Sequence, residues 1–343
     1  MPSPEAPADA RRRRIGAVLG TVIAGALLVW ALRGVHPGEV LEHLRNAHVA
    51  PLLLAVVLAT LTYPLRLVRW QLLLRDADGH PLPAAPLWHA IAIGFMANNI
   101  LPFRAGELVR LLAAARLAGA RFSTVLSSVA VERVFDGLTV VALLSISLLA
   151  SDLPPDVAVG GVSLRHAAQA SGLLGAAALV AALLVVAFPV AAERVVRRLL
   201  PTGRLADRIV NLIEGIRHGL AALRSPALLA GTILWSIVIW LVNALAFYVA
   251  FKAFDIPVGF LGALLLQGIL VFGISVQLTP GFLGQFEAAI VAALALFQVP
   301  AGLASSYAIA YHATTFLPIV LLGAWSLART PVALSDLRAP GPS

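Results

Sequence analysis

Two short stretches hold most of the side chains that could do chemistry. In QLTPGFLGQFEAA (277–289), Gln277, Thr279 and Glu287 surround one proline and two glycines. From Ile256 to Ala328, a run of 73 residues, Glu287 is the one formal charge. An acid beside a broken apolar helix is costly in a membrane and is a functional candidate for that reason. Its sequence neighbours offer no counter-charge. The partner must be distant, Arg104 or Arg133 from elsewhere in the chain, or the carboxyl carries a proton.

The second stretch, NNILPFRAGELVR (98–110), puts Asn98, Asn99, Arg104 and Glu107 around another break. A guanidinium fork suits phosphate oxygens, and a helix starting after Gly106 adds free N–H donors for an anion. Glu107 in a first helical turn also has a plainer role, pairing with the helix dipole. The asparagines also suit open backbone groups. Downstream, SVAVERVFDG (128–137) spaces Glu132 and Asp136 four residues apart, with Arg133 between them. Such a trio either neutralises itself inside a helix bundle or relays protons. Tyr307, Tyr311 and His312 read as packing or interfacial residues, with cavity lining as the alternative.

Other chemistries have no residues to carry them. The sequence contains no cysteine, no P-loop GxxxxGK[ST], no HExxH and no Cys/His cluster. Neither a metal nor another cofactor is expected. Nucleic-acid binding is not expected from the net charge of +8, because the arginines flank apolar helices.

The elements that position these residues are membrane helices. The chain is 60% hydrophobic and 12% charged, against roughly 25% charged in a soluble domain, and its mean hydropathy is +0.91. Uncharged runs of spanning length predict an all-α polytopic membrane protein. Residues 1–14 read as a disordered basic cytoplasmic tail, 15–328 as a single membrane domain and 329–343 as a cytoplasmic tail. Spans are expected at Ile15–Leu32, from Pro51 to a cytoplasmic end at Arg66, Arg69 and Arg75, and at 122–151, His166–Ala192, Ala227–Phe251 and Gly302–Ala328. Residues 33–49 read as a short external interfacial helix. The loop 193–224, with seven arginines and three acids, reads as cytoplasmic, and 152–165 as external.

Between these spans lie two pairs of short helices, Leu87–Leu101 with Leu108–Gly119 and Pro257–Leu278 with Glu287–Phe297. The expected fold is six crossings plus two re-entrant or broken helical hairpins, with both termini cytoplasmic. Residues 50–151 and 227–328 share the order span, broken pair, span, starting from opposite sides. This is the pattern of an inverted repeat, whose breaks converge on a transport site.

At NNILPFRAGELVR, VERVFDG and LTPGFLGQFEAA the chain resembles the lysylphosphatidylglycerol synthase membrane-domain (flippase-like) family, over roughly residues 15–328. In members fused to a soluble aminoacyl-transferase domain, the membrane part is credited with moving the aminoacylated lipid between leaflets. In this sequence 15 residues follow Ala328, so the resemblance implies lipid handling and not synthase activity.

The expected function is a flippase that carries an anionic or phosphate-bearing lipid between leaflets of the inner or plasma membrane. Two alternatives are an integral membrane enzyme modifying lipid or polyprenyl phosphates, with Glu107 or Glu287 as general base, and an accessory subunit. The expected partners are a membrane lipid substrate and, at the protein level, a second copy or a lipid-synthesis enzyme.

Overall fold

The computed structural model describes residues 37–76, 79–101, 103–150, 158–159, 162–163, 166, 169–177, 180, 191, 194, 198 and 225–331. The expected first span at Ile15–Leu32, both terminal tails apart from residues 329–331, much of the expected span His166–Ala192, and most of 152–165 and 193–224 lie outside the described residues.

Helix α1 (Pro37–Asn46) is short and buries no residue. There follow α2 (Val49–Leu73), α3 (Ala84–Ile100), α4 (Ala105–Leu117) and α5 (Phe122–Ala150). After an antiparallel ribbon of Ala158–Val159 on Val162–Ser163 come α6 (Pro226–Ala253), α7 (Phe260–Gly273), a 3₁₀ turn Pro280–Phe282, α8 (Gln285–Ala295) and α9 (Ala301–Ala328). The start of α6 is written in its sequence: the Ser225 hydroxyl accepts the Leu228 N–H at 3.2 Å, and Pro226 stands in the first turn.

Among the described residues, four helices are long and apolar enough to cross a membrane: α2, α5, α6 and α9, of 25, 29, 28 and 28 residues. Their outer faces carry large apolar side chains such as Leu53, Val57 and Leu61 on α2, spaced by four so that they share one face. In a bilayer this face meets lipid. The intervening α3, α4, α7 and α8 have 17, 13, 14 and 11 residues. At 1.5 Å per residue they reach only about 17–26 Å, short of the roughly 30 Å hydrocarbon core.

Packing follows one scheme in both halves. α2 lies along α6. α9 lies on α3, and α5 lies on α7, so the last long helix of each half covers the first short helix of the other. One hydrophobic cluster fills α2–α5 and a second fills α6–α9. Because apolar burial does not drive helix association in lipid, close contact depends on small residues. Gly106 of α4 shows this. A Cβ there would run into the Gly94 carbonyl and the Asn98 backbone of α3.

Two expectations need correction. Arg66 and Arg69 are not a cytoplasmic flank at the end of helix α2. The helix continues to Leu73 with Pro64 inside it, and Arg69 is fully buried, because carboxylates from α5 meet that arginine inside the bundle. Helix α7 stops at Gly273 rather than running to Leu278. The Gln277 side chain takes up backbone groups of the other break, and 274–279 is non-helical.

Candidate functional site

Both breaks turn on left-handed residues. After Pro102, Phe103 and Arg104 have φ of 57° and 52°. After Pro280, Gly281 and Phe282 have φ of 60° and 58°, and Gly284 has φ of 80°. Each non-glycine residue in this region costs about 1–2 kcal/mol, so surrounding bonds must hold the breaks in shape. They do so mutually. Gln277 Oε1 accepts the Arg104 N–H at 2.9 Å, and Gln277 Nε2 donates to the carbonyls of Asn98 at 2.8 Å and Leu101 at 3.0 Å. Gln285 Oε1 accepts the Leu278 N–H at 2.9 Å, while Gln285 Nε2 donates to the Val276 carbonyl at 2.9 Å. The Thr279 hydroxyl donates to the Leu283 carbonyl at 2.9 Å. Backbone groups freed at the breaks are thus satisfied by protein, as a membrane interior requires.

Beside the joined breaks is a cleft of ≈ 630 Å³, within the range of ligand sites. Asn98, Asn99, Arg104, Glu107, Arg133 and Asp136 form its polar side. Apolar residues of α5 and α7, among them Val141, Val271 and Phe272, line it as well. The cleft is therefore amphipathic.

Under its polar side lies a charge network. Arg69 holds Asp136 at 2.6 Å and Glu132 at 3.2 Å. Arg110 forks onto Glu132 at 2.9 and 3.0 Å and lies 3.9 Å over the Trp70 ring. Arg66 reaches Asp136 at 3.7 Å, and the Trp240 indole N–H donates to Asp136 at 2.9 Å. Arg133, at the cleft surface, meets Glu132 at 3.1 Å, Glu107 at 3.7 Å and Asp136 at 3.8 Å. Arg104 has no ion pair among the described residues; its guanidinium donates to the Ile274 carbonyl at 3.4 Å. Among the described residues, five guanidinium groups and three carboxylates gather here, leaving two positive charges in excess. Three buried polar atoms at the cleft also lack a partner: Asn98 Oδ1, Asn99 Nδ2 and Arg133 Nε. An anion able to accept hydrogen bonds would complement the excess charge.

The structure sorts the sequence candidates into three groups. Asn98, Asn99, Arg104, Glu107, Arg133 and Asp136 share the cleft. Glu132 is fully buried beneath it. Gln277 and Thr279 are buried and bind backbone, and Glu287 does not line the cleft. The partner of Glu287 is neither Arg104 nor Arg133. Its Oε2 accepts the Gly284 N–H at 2.7 Å and its Oε1 lies 2.6 Å from His312 Nδ1, because the turn of α9 that carries His312 packs over the start of α8. Nor does the trio Glu132, Arg133 and Asp136 close on itself; Arg66, Arg69 and Arg110 come from α2 and α4. These three arginines and Trp240 were the residues sequence reasoning missed. The usable signal was two acids on one face of α5, which need more than Arg133 to balance them.

Among the described residues, four helices long and apolar enough to span, two broken pairs and a charged cleft between them define a multi-pass helical membrane protein. More narrowly, the chain belongs to the lysylphosphatidylglycerol synthase transmembrane-region family, whose model matches residues 17–323. Glycosyltransferase AglD of Haloferax volcanii is 28% identical over 94% of the chain, and the chain spans 56% of that protein's length. A UPF0104 membrane protein of Methanothermobacter thermautotrophicus is 24% identical, covering 92% of the chain and 93% of its own length.

Proposed function

We propose that the protein is a lipid translocase that carries an anionic or phosphate-bearing headgroup between leaflets while the tails remain in the bilayer. The observation that carries this reading is the amphipathic cleft at the meeting of the two breaks, with Arg104 free of any ion pair among the described residues and two positive charges in excess. The guanidinium of Arg104 replaces water around a phosphate, Arg133 and Asn99 supply further donors, and the α5–α7 wall receives the first apolar atoms of the lipid. A charge that would be expensive in hydrocarbon is thereby accommodated.

The crossed packing, α9 on α3 and α5 on α7, supports a twofold relation between 50–151 and 227–328. On that reading the repeats are inverted, six helices cross, and the broken pairs enter from opposite faces. The arginine bias of 193–224 orients both termini to the cytoplasm of a cell inner or plasma membrane. Of the two acids considered as general bases, Glu287 does not line the cleft and Glu107 faces Arg133 at 3.7 Å, which favours a binding surface over a general base.

Native mass spectrometry of the purified protein tests the substrate class. Retained anionic phospholipid or polyprenyl phosphate is expected, and Arg104→Ala with Arg133→Ala should lose it. Retention of neutral lipids alone would contradict the assignment.

A further inference from the structure

The second break holds a titratable pair that the cleft does not use. Glu287 and His312 face each other at 2.6 Å, with side chains 6% and 11% exposed. Their positions match a pair at the first break. Glu287 is the third residue after the N-cap Gly284, as Glu107 is the third after the N-cap Arg104. His312 is the twelfth residue of α9, as Arg133 is the twelfth of α5. Arg133 reaches Glu107 at 3.7 Å, and His312 reaches Glu287. Where one half of the molecule carries a permanent charge, the other carries an imidazole.

We infer that the buried His312–Glu287 pair is a proton-binding site linked to occupancy of the cleft. This rests on the translocase reading and adds the proton as a co-substrate. With one proton shared between Nδ1 and Oε1 the pair is neutral overall. Losing that proton leaves one buried negative charge, which is costly without a partner. Exchange therefore belongs to conformations in which water reaches the pair. The proton comes from water on one side and returns to water on the other; no other bond changes.

The link to the cleft is contiguous. Glu287 holds the N–H of Gly284 in the break itself. The His312 ring stacks on Phe286 at 4.2 Å and meets Phe316 edge-on at 6.2 Å. Gly281 lies between Phe316 and the carbonyl of Asn99, where an added Cβ would sit 3.2 Å and 3.0 Å from them. Asn99 lines the cleft. Bound protons and a bound anion therefore act on the same 281–284 turn, and added positive charge at the pair favours the anion.

Other charged groups on the packed elements are engaged or remote. Helix α7 has none, and α8 has only Glu287. On α3, His89 packs near Trp325 at the far end of α9. On α2, Arg66 and Arg69 hold Asp136, and just beyond its end Arg75 donates to the Gly79 carbonyl. On α6, Lys252 lies over the Tyr248 ring. On α1, Glu39 and His43 lie by Gly302, ten residues before His312, and Glu42 and Arg45 belong to the same short helix. Tyr307 and Tyr311 stack beside the pair, and Tyr63 packs on Phe95.

Binding of phosphatidylglycerol, whose phosphodiester keeps its charge over this range, to the full chain in detergent tests the inference from about pH 8 to about pH 5. Wild-type affinity should rise as pH falls, by up to about tenfold per pH unit where one proton is linked. Glu287→Gln and His312→Gln should bind with a flat profile. In the wild type alone, ring-¹⁵N NMR should report a change at His312 on adding lipid. A flat wild-type profile, an unmoved His312 signal, or an unchanged slope in a folded Glu287→Gln protein overturns the proton site and leaves the translocase reading standing. Absence of wild-type binding at every pH overturns both.

Discussion

The side-chain carbonyl of Gln277 accepts the backbone N–H of Arg104 at 2.9 Å, across 173 residues of chain. That bond joins the two helix breaks and fixes the backbone of Arg104, the residue proposed to meet the headgroup. The same side chain caps the carbonyls of Asn98 and Leu101. It is 1% exposed.

Gln277→Leu should therefore destabilise the protein by at least about 2 kcal/mol, since each buried backbone group left unpaired costs about 1–3 kcal/mol. A lowered thermal midpoint in detergent measures this. A midpoint equal to wild type would mean the breaks do not depend on each other.

Arg69 should matter as much for folding. Its removal leaves Asp136 and Glu132 short of their closest shared cation, and breaking such a buried pair costs about 3–5 kcal/mol. Arg69→Met should cause large losses of stability. Adding Asp136→Asn should restore part of them, because the uncompensated charge is then gone. Thermal midpoints of the two single variants and the double variant form the cycle that checks the coupling.

Much of the architecture could be read directly from the residues. The helices at Phe122–Ala150, Pro226–Ala253 and Ala301–Ala328 follow from long apolar runs, and the breaks follow from PFRAGE and TPGFLG. The end of α2 could not be read this way. Arg66 and Arg69 look like a cytoplasmic flank in sequence, and only the placement of Glu132 and Asp136 on a neighbouring helix makes them interior. Glu287 was visible as a buried acid needing a partner. His312 was not identified as that partner, because an imidazole in an apolar run carries no sequence signal of what lies opposite. Asn98, Asn99, Arg104, Glu107, Arg133 and Asp136 were legible as motif, and the arginines of the network beneath them depended on tertiary contacts.

Orientation is tested by cysteine labelling, since the chain has no cysteine of its own. Ala158→Cys should react with an impermeant reagent from outside, and Ala206→Cys only after the membrane is opened. External labelling of Ala206→Cys would reverse the orientation argued from the arginine-rich loop.

The central claim is that the cleft around Arg104 moves an anionic headgroup across the bilayer. Reconstitution with fluorescent phosphatidylglycerol, followed by quenching of the outer leaflet, measures that movement directly. The wild-type protein should expose inner-leaflet lipid to the quencher well above the protein-free rate. Arg104→Ala should fall to that background, and Arg104→Lys should lie far below wild type because it keeps the charge but lacks the planar fork. Wild-type protein no faster than empty vesicles, or Arg104→Ala as fast as wild type, would contradict the account.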